Sequence, residues 1–182
     1  RALDFKIYNF KTIQNILEGK DHRLMIVTGP CSIHDPISAL EYAQKLQQLQ
    51  SQVSDQIFLV TRAYIAKPRT TIGWKGFLYD PNLDNSSNMQ LGLEKSRELY
   101  LQIIDMGLPI AAEILSPMAT AYFDDLLAWG AIGARTSESQ IHREIASHMP
   151  YSIGFKNGTD GSIQIALDAI QSALNPHQFL GM

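Results

Sequence analysis

Short apolar runs alternate with amphipathic helical patterns along this chain, and this alternation is the feature that most constrains its fold. Five apolar runs are predicted to be strands, and they lie at residues 23–28, 57–62, 108–113, 131–135 and 152–155. Helical spacing of apolar residues predicts helices at 5–19, from 36 to about 49, and at 91–106, 118–129, 137–147 and 162–174. Strands that alternate with helices predict βαβ units, a parallel sheet and right-handed crossovers. A further strand-like segment is predicted to begin at 178–182.

Two α/β architectures fit this alternation: a doubly wound sheet and a (β/α)8 TIM barrel. A doubly wound nucleotide-binding sheet often carries G-x-G-x-x-G after its first strand, but here that position holds GPCSIHDP. A barrel normally needs about 250 residues and at least about 200. The chain has 182 residues and five strand–helix units, so the barrel interpretation requires that it covers only part of the barrel.

Composition predicts one globular domain with a sizeable core, because 45% of the residues are hydrophobic and the net charge is only -3. This mild negative charge argues against general nucleic-acid binding. No apolar run approaches the roughly 20 residues that span a membrane, and no signal peptide is visible. The single cysteine, Cys31, cannot form an intramolecular disulfide. We therefore expect a soluble cytoplasmic protein.

The loop after the second strand is cationic, and no acidic residue occurs between positions 62 and 76. Its charged and hydroxyl side chains are Arg62, Lys67, Arg69, Thr70, Thr71 and Lys75. Arginine forks and lysine charges suit phosphate and carboxylate groups. A solvated basic loop is the alternative, but Pro68 and Gly73 stiffen and turn the segment, which favours a built anion site.

Each predicted strand leads into a chemically useful residue at its carboxyl end. These residues are Cys31, Arg62, Glu113, Arg135 and Lys156. The carboxyl ends of parallel strands face one side, so the side chains should surround one mouth. One carboxylate, one thiol and several cations suit a polyanionic substrate, with a general acid/base or a metal taking part. His142 and His148 are predicted to be surface residues.

Each of these residues also has a plainer interpretation. Cys31 could be a small buried hydrophobic residue, and Glu113 could simply pair with Arg135 or Lys156. Lys156 itself could be a Schiff-base nucleophile, an anion-binding residue or a structural ion-pair partner.

Four long motifs resemble class I 3-deoxy-D-arabino-heptulosonate-7-phosphate (DAHP) synthase, the family that opens the shikimate pathway. They are GPCSIHDP (29–36), KPRTTIGWKG (67–76), GAIGARTSESQIHRE (130–144) and GFKNGTDG (154–161). The resemblance covers nearly the whole chain and implies the amino-terminal part of a (β/α)8 barrel. Residues 1–182 would form one partial barrel domain, with 1–22 as a preceding helical segment.

The resemblance implies an enzyme that condenses phosphoenolpyruvate with erythrose 4-phosphate and uses a divalent metal such as Mn, Fe or Co. Cys31 matches a metal ligand, and Glu113 matches a carboxylate that positions the attacking water. The residues matching phosphoenolpyruvate ligands are Arg62, Lys67, Arg135 and Lys156, and those matching erythrose 4-phosphate ligands are Arg69 and Thr70. Lys67 would lie close to both substrates.

The resemblance also has implications for the metal site, the oligomeric state and the feedback-inhibitor pocket. The family's other metal ligands lie beyond Met182, so we expect neither a tight metal site nor activity from these residues alone. The family forms homo-oligomers, which are dimers or tetramers. Its feedback-inhibitor pocket draws on the segments that read LSPMATAY (115–122) and SHMPYS (147–152) here. Both differ from the patterns of Phe-, Tyr- and Trp-sensitive forms, so the effector stays open.

Three other functions compete with this one. The sister 3-deoxy-octulosonate 8-phosphate synthase handles a related phosphosugar, but its sequence differs at KPRTT. A Schiff-base aldolase would use Lys156 covalently. A non-catalytic half-barrel that binds phosphate ligands would explain the absent metal ligands.

Overall fold

The structure is a computed structural model, and it describes residues 2–178. Its elements along the chain are α1 (Ala2–Leu17), β1 (Leu24–Thr28), α2 (Pro36–Val53), β2 (Ile57–Arg62), α3 (Met89–Asp105), β3 (Ile110–Glu113), α4 (Pro117–Phe123), β4 (Trp129–Ile132), α5 (Gln140–His148), β5 (Ser152–Phe155) and α6 (Gln164–Ala173). The predicted alternation of strands and helices is confirmed, and so is the long connection without helix or strand between β2 and α3.

All pairings in the sheet are parallel, and the strands follow one another in the order β1-β2-β3-β4-β5. A doubly wound sheet reverses its strand order at a switch point and carries helices on both faces. Here the order never reverses, which is how a (β/α)8 barrel is wound. The protein therefore has an α/β fold made of the first five strand–helix units of a barrel.

One face of the sheet, the outer face, packs against helices α2 to α5. Its strand residues include Leu59, Ile110, Ala112 and Ile132, and they share one apolar core with Leu46, Tyr100, Phe123 and Ile145 from the four helices. Side chains alternate between the two faces of a strand, and every second residue of β2 therefore enters this core. The helices reach it because each carries an apolar stripe at helical spacing.

The opposite face, the inner face, has a smaller apolar cluster. Ile13 of α1 is completely buried there among Phe58, Val60, Ala111 and Ala128. Phe58 and Ala111 lie near the beginnings of their strands, and Ala128 precedes β4. Helix α1 thus covers the amino-terminal half of the inner face and leaves the carboxyl ends of the strands open.

The edge strands differ from the central ones in exposure. The middle residues of β2 and the first residues of β3 are buried, whereas β1 and β5 are partly exposed along their lengths. Within residues 2–178 neither β1 nor β5 has a strand on its outer side. The sheet is accordingly open.

Helix α2 begins as its sequence predicts. Asp35 caps it by accepting hydrogen bonds from the backbone N–H groups of Ile37 and Ser38, and Pro36 occupies the first turn. Gly107, with a positive φ of 79°, ends α3. No helix within the described range is long and apolar enough to cross a membrane.

The predicted helix at 118–129 is wrong in its second half. Helix α4 ends at Phe123, and Trp129 begins β4. Helical periodicity continues through Leu126 and Leu127, but the backbone N–H of Ala128 donates to Ile110 O at 2.9 Å. Pairing with β3 therefore prevails over the local helical pattern.

Strand β4 also ends earlier than predicted, at Ile132, so Arg135 lies in the turn that follows. That turn closes when Thr136 and Ser137 donate their backbone N–H groups to Gly133 O. Helix α5 therefore begins at Gln140, with Ser139 as its cap, and not at residue 137. The strand predicted at 178–182 lies outside the described residues, apart from Gln178, which is in neither a helix nor a strand.

Candidate active site

Side-chain alternation places three of the predicted site residues on the inner face. Arg62 ends β2 on the same side as Phe58 and Val60, and Glu113 ends β3 on the same side as Ala111. In β5, Ile153 and Phe155 pack against the outer core. Lys156, the next residue, therefore faces inward.

The loop after β1 holds the Arg62 guanidinium in place. Nε of Arg62 donates to Pro30 O and Nη2 donates to Cys31 O, both at 3.1 Å. The loop approaches so closely because Gly29 has no side chain, and a Cβ there would lie 2.3 Å from Arg62 O. The ring of Tyr64 completes this environment, with Arg62 Cζ 3.9 Å from its centroid.

Glu113 is the carboxylate at the centre of the site. Burial raises the pKa of its carboxyl, and the charges of Lys156, Arg62 and Arg135 act in the opposite direction. Lys156 follows β5, Arg62 ends β2 and Arg135 lies in the turn after β4. The Glu113 carboxyl therefore interacts electrostatically with cations from three different segments of the chain. Gly133 makes room for it, because a Cβ at that position would lie 2.3 Å from Glu113 Oε1.

Lys156 is positioned by its backbone. Its N–H donates to Ile132 O at 2.9 Å, which continues the β4–β5 pairing by one residue. The hydroxyl of Ser137, which is completely buried, donates to Lys156 O at 2.8 Å. The same hydroxyl lies 3.0 Å from Gly133 O, so it ties the turn that carries Arg135 to the end of β5.

The cationic segment 67–75 is a closed loop and not a free tail. The backbone N–H of Lys67 donates to Lys75 O at 2.8 Å, and Arg69 Nε donates to Trp74 O at 3.0 Å. A cavity of about 300 Å³ lies beside this loop. It is lined by Lys67, Pro68, Arg69, Thr70, Lys75, Tyr79, Leu115, Arg135 and Thr136. Four side chains of the predicted anion-binding loop, Lys67, Arg69, Thr70 and Lys75, thus line one cavity together with Arg135.

Cys31 is exposed, and its Sγ lies 3.8 Å from Lys67 Nζ. A thiolate is a suitable ligand for several divalent transition metals. Within residues 2–178, however, no group of three or more His, Cys, Asp and Glu side chains could hold a metal ion. The described residues therefore offer one thiol donor and do not make up a metal site by themselves.

Three residues of this site were not predicted to belong to it. Tyr64 and Ser137 were assigned no role, and His142 was predicted to be a surface residue, which is wrong. The half-buried imidazole of His142 bonds to Ser139 Oγ through Nδ1 at 2.8 Å and to Leu115 O through Nε2 at 3.0 Å. It joins the loops after β3 and β4 beside Glu113. Its place inside the GAIGARTSESQIHRE motif was the available signal.

The two segments compared with the inhibitor pocket also meet in space. Pro117, Thr120 and Ala121 from the first segment and Met149 from the second line a cavity of about 530 Å³ between α4 and α5. It lies apart from the cavity beside the cationic loop, with which it shares no lining residue.

Comparison with known proteins assigns the family. The sequence profile of the DAHP synthetase I family matches residues 5–182. The Tyr-sensitive phospho-2-dehydro-3-deoxyheptonate aldolase of Escherichia coli is 52% identical over 172 residues, which are 94% of this chain and 48% of that protein. The Phe-sensitive enzyme of the same organism is 53% identical over 94% of this chain and 49% of its own length.

A solved structure agrees with this assignment. The structure of phospho-2-dehydro-3-deoxyheptonate aldolase from Francisella tularensis SCHU S4 superimposes with a TM-score of 0.95 at 50% identity. The match covers 98% of this chain and 52% of the other. The chain spans about half the length of the curated relatives it matches. With its fold, its motifs and these similarities taken together, the chain belongs to the DAHP synthetase I family.

Proposed function

We propose that this chain is the amino-terminal part of a 3-deoxy-7-phosphoheptulonate synthase. The complete enzyme would condense phosphoenolpyruvate with D-erythrose 4-phosphate and water, giving DAHP and phosphate, in the first step of aromatic amino acid biosynthesis. Membership of the family supports this proposal. The single structural observation that carries it is that Arg62, Glu113 and Lys156 lie together on the inner face at the carboxyl ends of their strands.

Phosphoenolpyruvate carries a phosphate and a carboxylate, and the inner-face cations suit both groups. Arg62 offers a planar fork whose orientation is set by the carbonyls of Pro30 and Cys31. Lys156 would act as an electrostatic clamp, with Arg135 and Lys67 completing the charge around the ligand. Fixed cations of this kind bind anions well because they do not need to reorganise.

The phosphosugar would occupy the cavity beside the cationic loop. Arg69 and Thr70 line that cavity and would hold the phosphate of erythrose 4-phosphate. Lys67 lines it too, and its ammonium lies near Cys31 at the inner mouth. Lys67 would therefore stand between the two substrates.

The proposed reaction balances without a redox partner. The enol carbon of phosphoenolpyruvate forms a C–C bond with the aldehyde carbon of erythrose 4-phosphate, while the aldehyde C=O π bond breaks and its oxygen takes up a proton to become a hydroxyl. The oxygen of water adds to the adjacent carbon and releases one proton. The C–O bond to phosphate then breaks, and the added hydroxyl becomes the ketone as its proton passes to the departing phosphate. Glu113 would hold the attacking water by a hydrogen bond. Because burial raises the pKa of this carboxyl, its carboxylate accepts a proton from that water more readily than an exposed one would.

The remaining features of the complete enzyme are proposals of the same kind. A divalent metal such as Mn, Fe or Co would bind with Cys31 as the ligand from this chain and the other ligands outside it. Residues 1–182 would form a single partial barrel domain, with 1–22 preceding the barrel. The enzyme would be a cytoplasmic homo-oligomer, either a dimer or a tetramer.

Calorimetric titration of the chain with phosphoenolpyruvate tests the proposal. Arg62→Ala and Lys156→Ala should each weaken binding by about 10- to 100-fold, which is the usual value of one charged hydrogen bond or ion contact. Lys45→Ala, at an exposed position on α2, is the matched control and should leave binding unchanged. Unaltered binding in either site variant would remove that residue from the site.

The same preparation separates this function from its competitors. Assayed with manganese and both substrates, the chain alone should show no turnover, because Cys31 is the one metal ligand that it supplies. Turnover would refute the need for further ligands. Borohydride trapping with a carbonyl substrate should leave Lys156 unmodified, since an adduct there would favour a Schiff-base aldolase.

A further inference from the structure

Tyr64 lies between two cations that come from distant parts of the sheet. Its ring is 3.9 Å from Arg62 Cζ and 5.3 Å from Lys156 Nζ, measured to the ring centroid. Arg62 ends β2 and Lys156 follows β5, with β3 and β4 between those strands. One aromatic ring therefore connects cations on opposite sides of the inner mouth.

The position of Tyr64 is fixed from several directions. The residue is only 4% exposed. Its carbonyl accepts a hydrogen bond from the backbone N–H of Ile33 at 2.8 Å, which ties it to the loop after β1. The carbonyl of the preceding residue, Ala63, accepts from the hydroxyl of Tyr100 at 2.6 Å, which ties it to α3. These hydrogen bonds fix the backbone at residue 64, and burial restricts the movement of the ring.

An aromatic ring can hold two cations near each other without adding net charge to the site. Two cations held close together repel each other, and the nearby Glu113 carboxyl, which interacts electrostatically with both, offsets part of this repulsion. The negative face of an aromatic ring attracts cations but carries no net charge. Within residues 2–178, no ion pair shorter than 4.0 Å includes Arg62 or Lys156. Neither cation is therefore held in a direct ion pair among the described residues, and both can contact an anionic ligand.

We propose that Tyr64 is a positioning residue whose buried ring holds Arg62 and Lys156 in the arrangement that binds phosphoenolpyruvate. The ring acts through the two cations and does not contact the reacting atoms. This inference rests on the proposed function in one respect, namely the identity of the anion. The contact between the ring and the two cations does not depend on that identity.

The test replaces residue 64 in the 182-residue chain and measures phosphoenolpyruvate affinity by calorimetry. Tyr64→Phe keeps the ring and should retain affinity within about three-fold, whereas Tyr64→Leu removes it and should weaken binding about 10-fold. A series of phenylalanines with one, two and three ring fluorines at position 64 then reduces the negative charge of the face with little change in volume. Affinity should fall stepwise along the series.

Two controls make the result specific. The first control places the same fluorinated residues at position 77. Phe77 is a completely buried ring, and among the described residues no cation lies over it. Fluorination there should leave the affinity for phosphoenolpyruvate unchanged. NMR of the ligand-free chain supplies a second readout. The Arg62 side-chain protons should be shifted upfield by the ring current of Tyr64, and the shift should disappear in Tyr64→Leu.

The outcomes distinguish this inference from the proposed function. If fluorination at position 64 did not change the affinity for phosphoenolpyruvate, the inference would be wrong, and the proposed function would be unaffected. If the unmodified chain bound inorganic phosphate but not phosphoenolpyruvate, the proposed function would fail, and the fluorination series repeated with phosphate would decide the inference. An Arg62 spectrum without the ring-current shift would overturn the inference whatever the ligand.

Discussion

The two faces of the sheet use the same strands for different purposes. The outer face contributes side chains such as Leu59, Ile110 and Ile132 to one large apolar core shared with four helices. The inner face has a small apolar cluster under α1 and ends in Arg62 and Glu113. Side-chain alternation thus separates the residues that stabilise the fold from those of the proposed ligand site, since neighbouring residues of one strand face opposite sides of the sheet.

This separation predicts that substitutions should divide into two classes. Changes on the outer face should lower the free energy of unfolding and alter ligand binding only through unfolding. Changes at the carboxyl end of the inner face should alter ligand binding at nearly constant stability. The three predictions that follow test this division, from the largest expected effect to the smallest.

Tyr100→Ala should have the largest effect. The Tyr100 side chain is completely buried in the outer core, and removing an aromatic side chain from such a site lowers the free energy of unfolding by about 3–5 kcal/mol. Denaturant unfolding measures this loss. Tyr100→Phe is the control, because it removes only the hydroxyl that donates to Ala63 O and should cost about 1 kcal/mol. If Tyr100→Ala lowered the free energy of unfolding only slightly but greatly weakened phosphoenolpyruvate binding, the division between the outer and inner faces would be wrong.

Gly133→Ala should act on the inner face. The new Cβ would lie 2.3 Å from Glu113 Oε1, so the carboxylate must move, while the flexible end of this side chain can adjust at a cost of less than about 1 kcal/mol. We therefore expect altered phosphoenolpyruvate affinity at nearly constant unfolding free energy. A double-mutant cycle with Glu113→Ala checks the cause. Additive effects would show that the contact with Glu113 is not responsible.

The pH dependence of stability should show the smallest effect. Burial raises the folded-state pKa of Glu113, so the folded state binds this proton more tightly than the unfolded state does. Its contribution to stability is therefore greatest at low pH and is lost as pH rises from the unfolded value through the raised pKa. Relative to Glu113→Gln, the unsubstituted protein should lose stability over that window, as measured by denaturant unfolding at a series of pH values.

Asp125 provides a control of opposite sign. Its hydrogen bonds with Arg97 lower the pKa of the Asp125 carboxyl, so its contribution is present above the unfolded value and is lost as pH falls through the lowered pKa. Compared with Asp125→Asn, the unsubstituted protein should therefore lose stability towards low pH. Trends of the same sign for the two carboxyls would contradict the contrast between a site carboxylate and a surface ion pair.

Much of the fold could be predicted because its signals are local. The capping of α2 by Asp35, the bounds of β2 and β5, and the long loop after β2 follow from caps, β-branched runs and turn residues within a few positions of one another. The error at the end of α4 has the opposite origin. Leu126 and Leu127 continue a helical pattern, but a hydrogen bond from Ala128 to Ile110, distant in sequence, decides their conformation.

In the candidate site, too, the charged residues could be predicted from the sequence, but the contacts that hold them could not. The predicted strand ends indicated that Cys31, Arg62, Glu113, Arg135 and Lys156 would surround one mouth. In the structure Arg62, Glu113 and Lys156 lie on the inner face at the carboxyl ends of their strands, and Arg135 lies in the turn after β4. The motifs did not indicate what holds these side chains. Ser137 ties the turn after β4 to β5, and His142 joins two loops. Neither contact can be inferred from the spacing of residues along the chain.

Local patterns in the sequence were sufficient to predict the alternation of strands and helices, the resemblance to the family, and Arg62 and Glu113 as the charged residues that end β2 and β3. These follow from periodicity, capping and motif identity, which act over short stretches of chain. The face on which each charged side chain lies and the placement of Tyr64 between Arg62 and Lys156 became clear only from the three-dimensional structure. The physical reason is that strand pairing and close approach, such as that of Gly29 to Arg62, join residues that are distant in sequence.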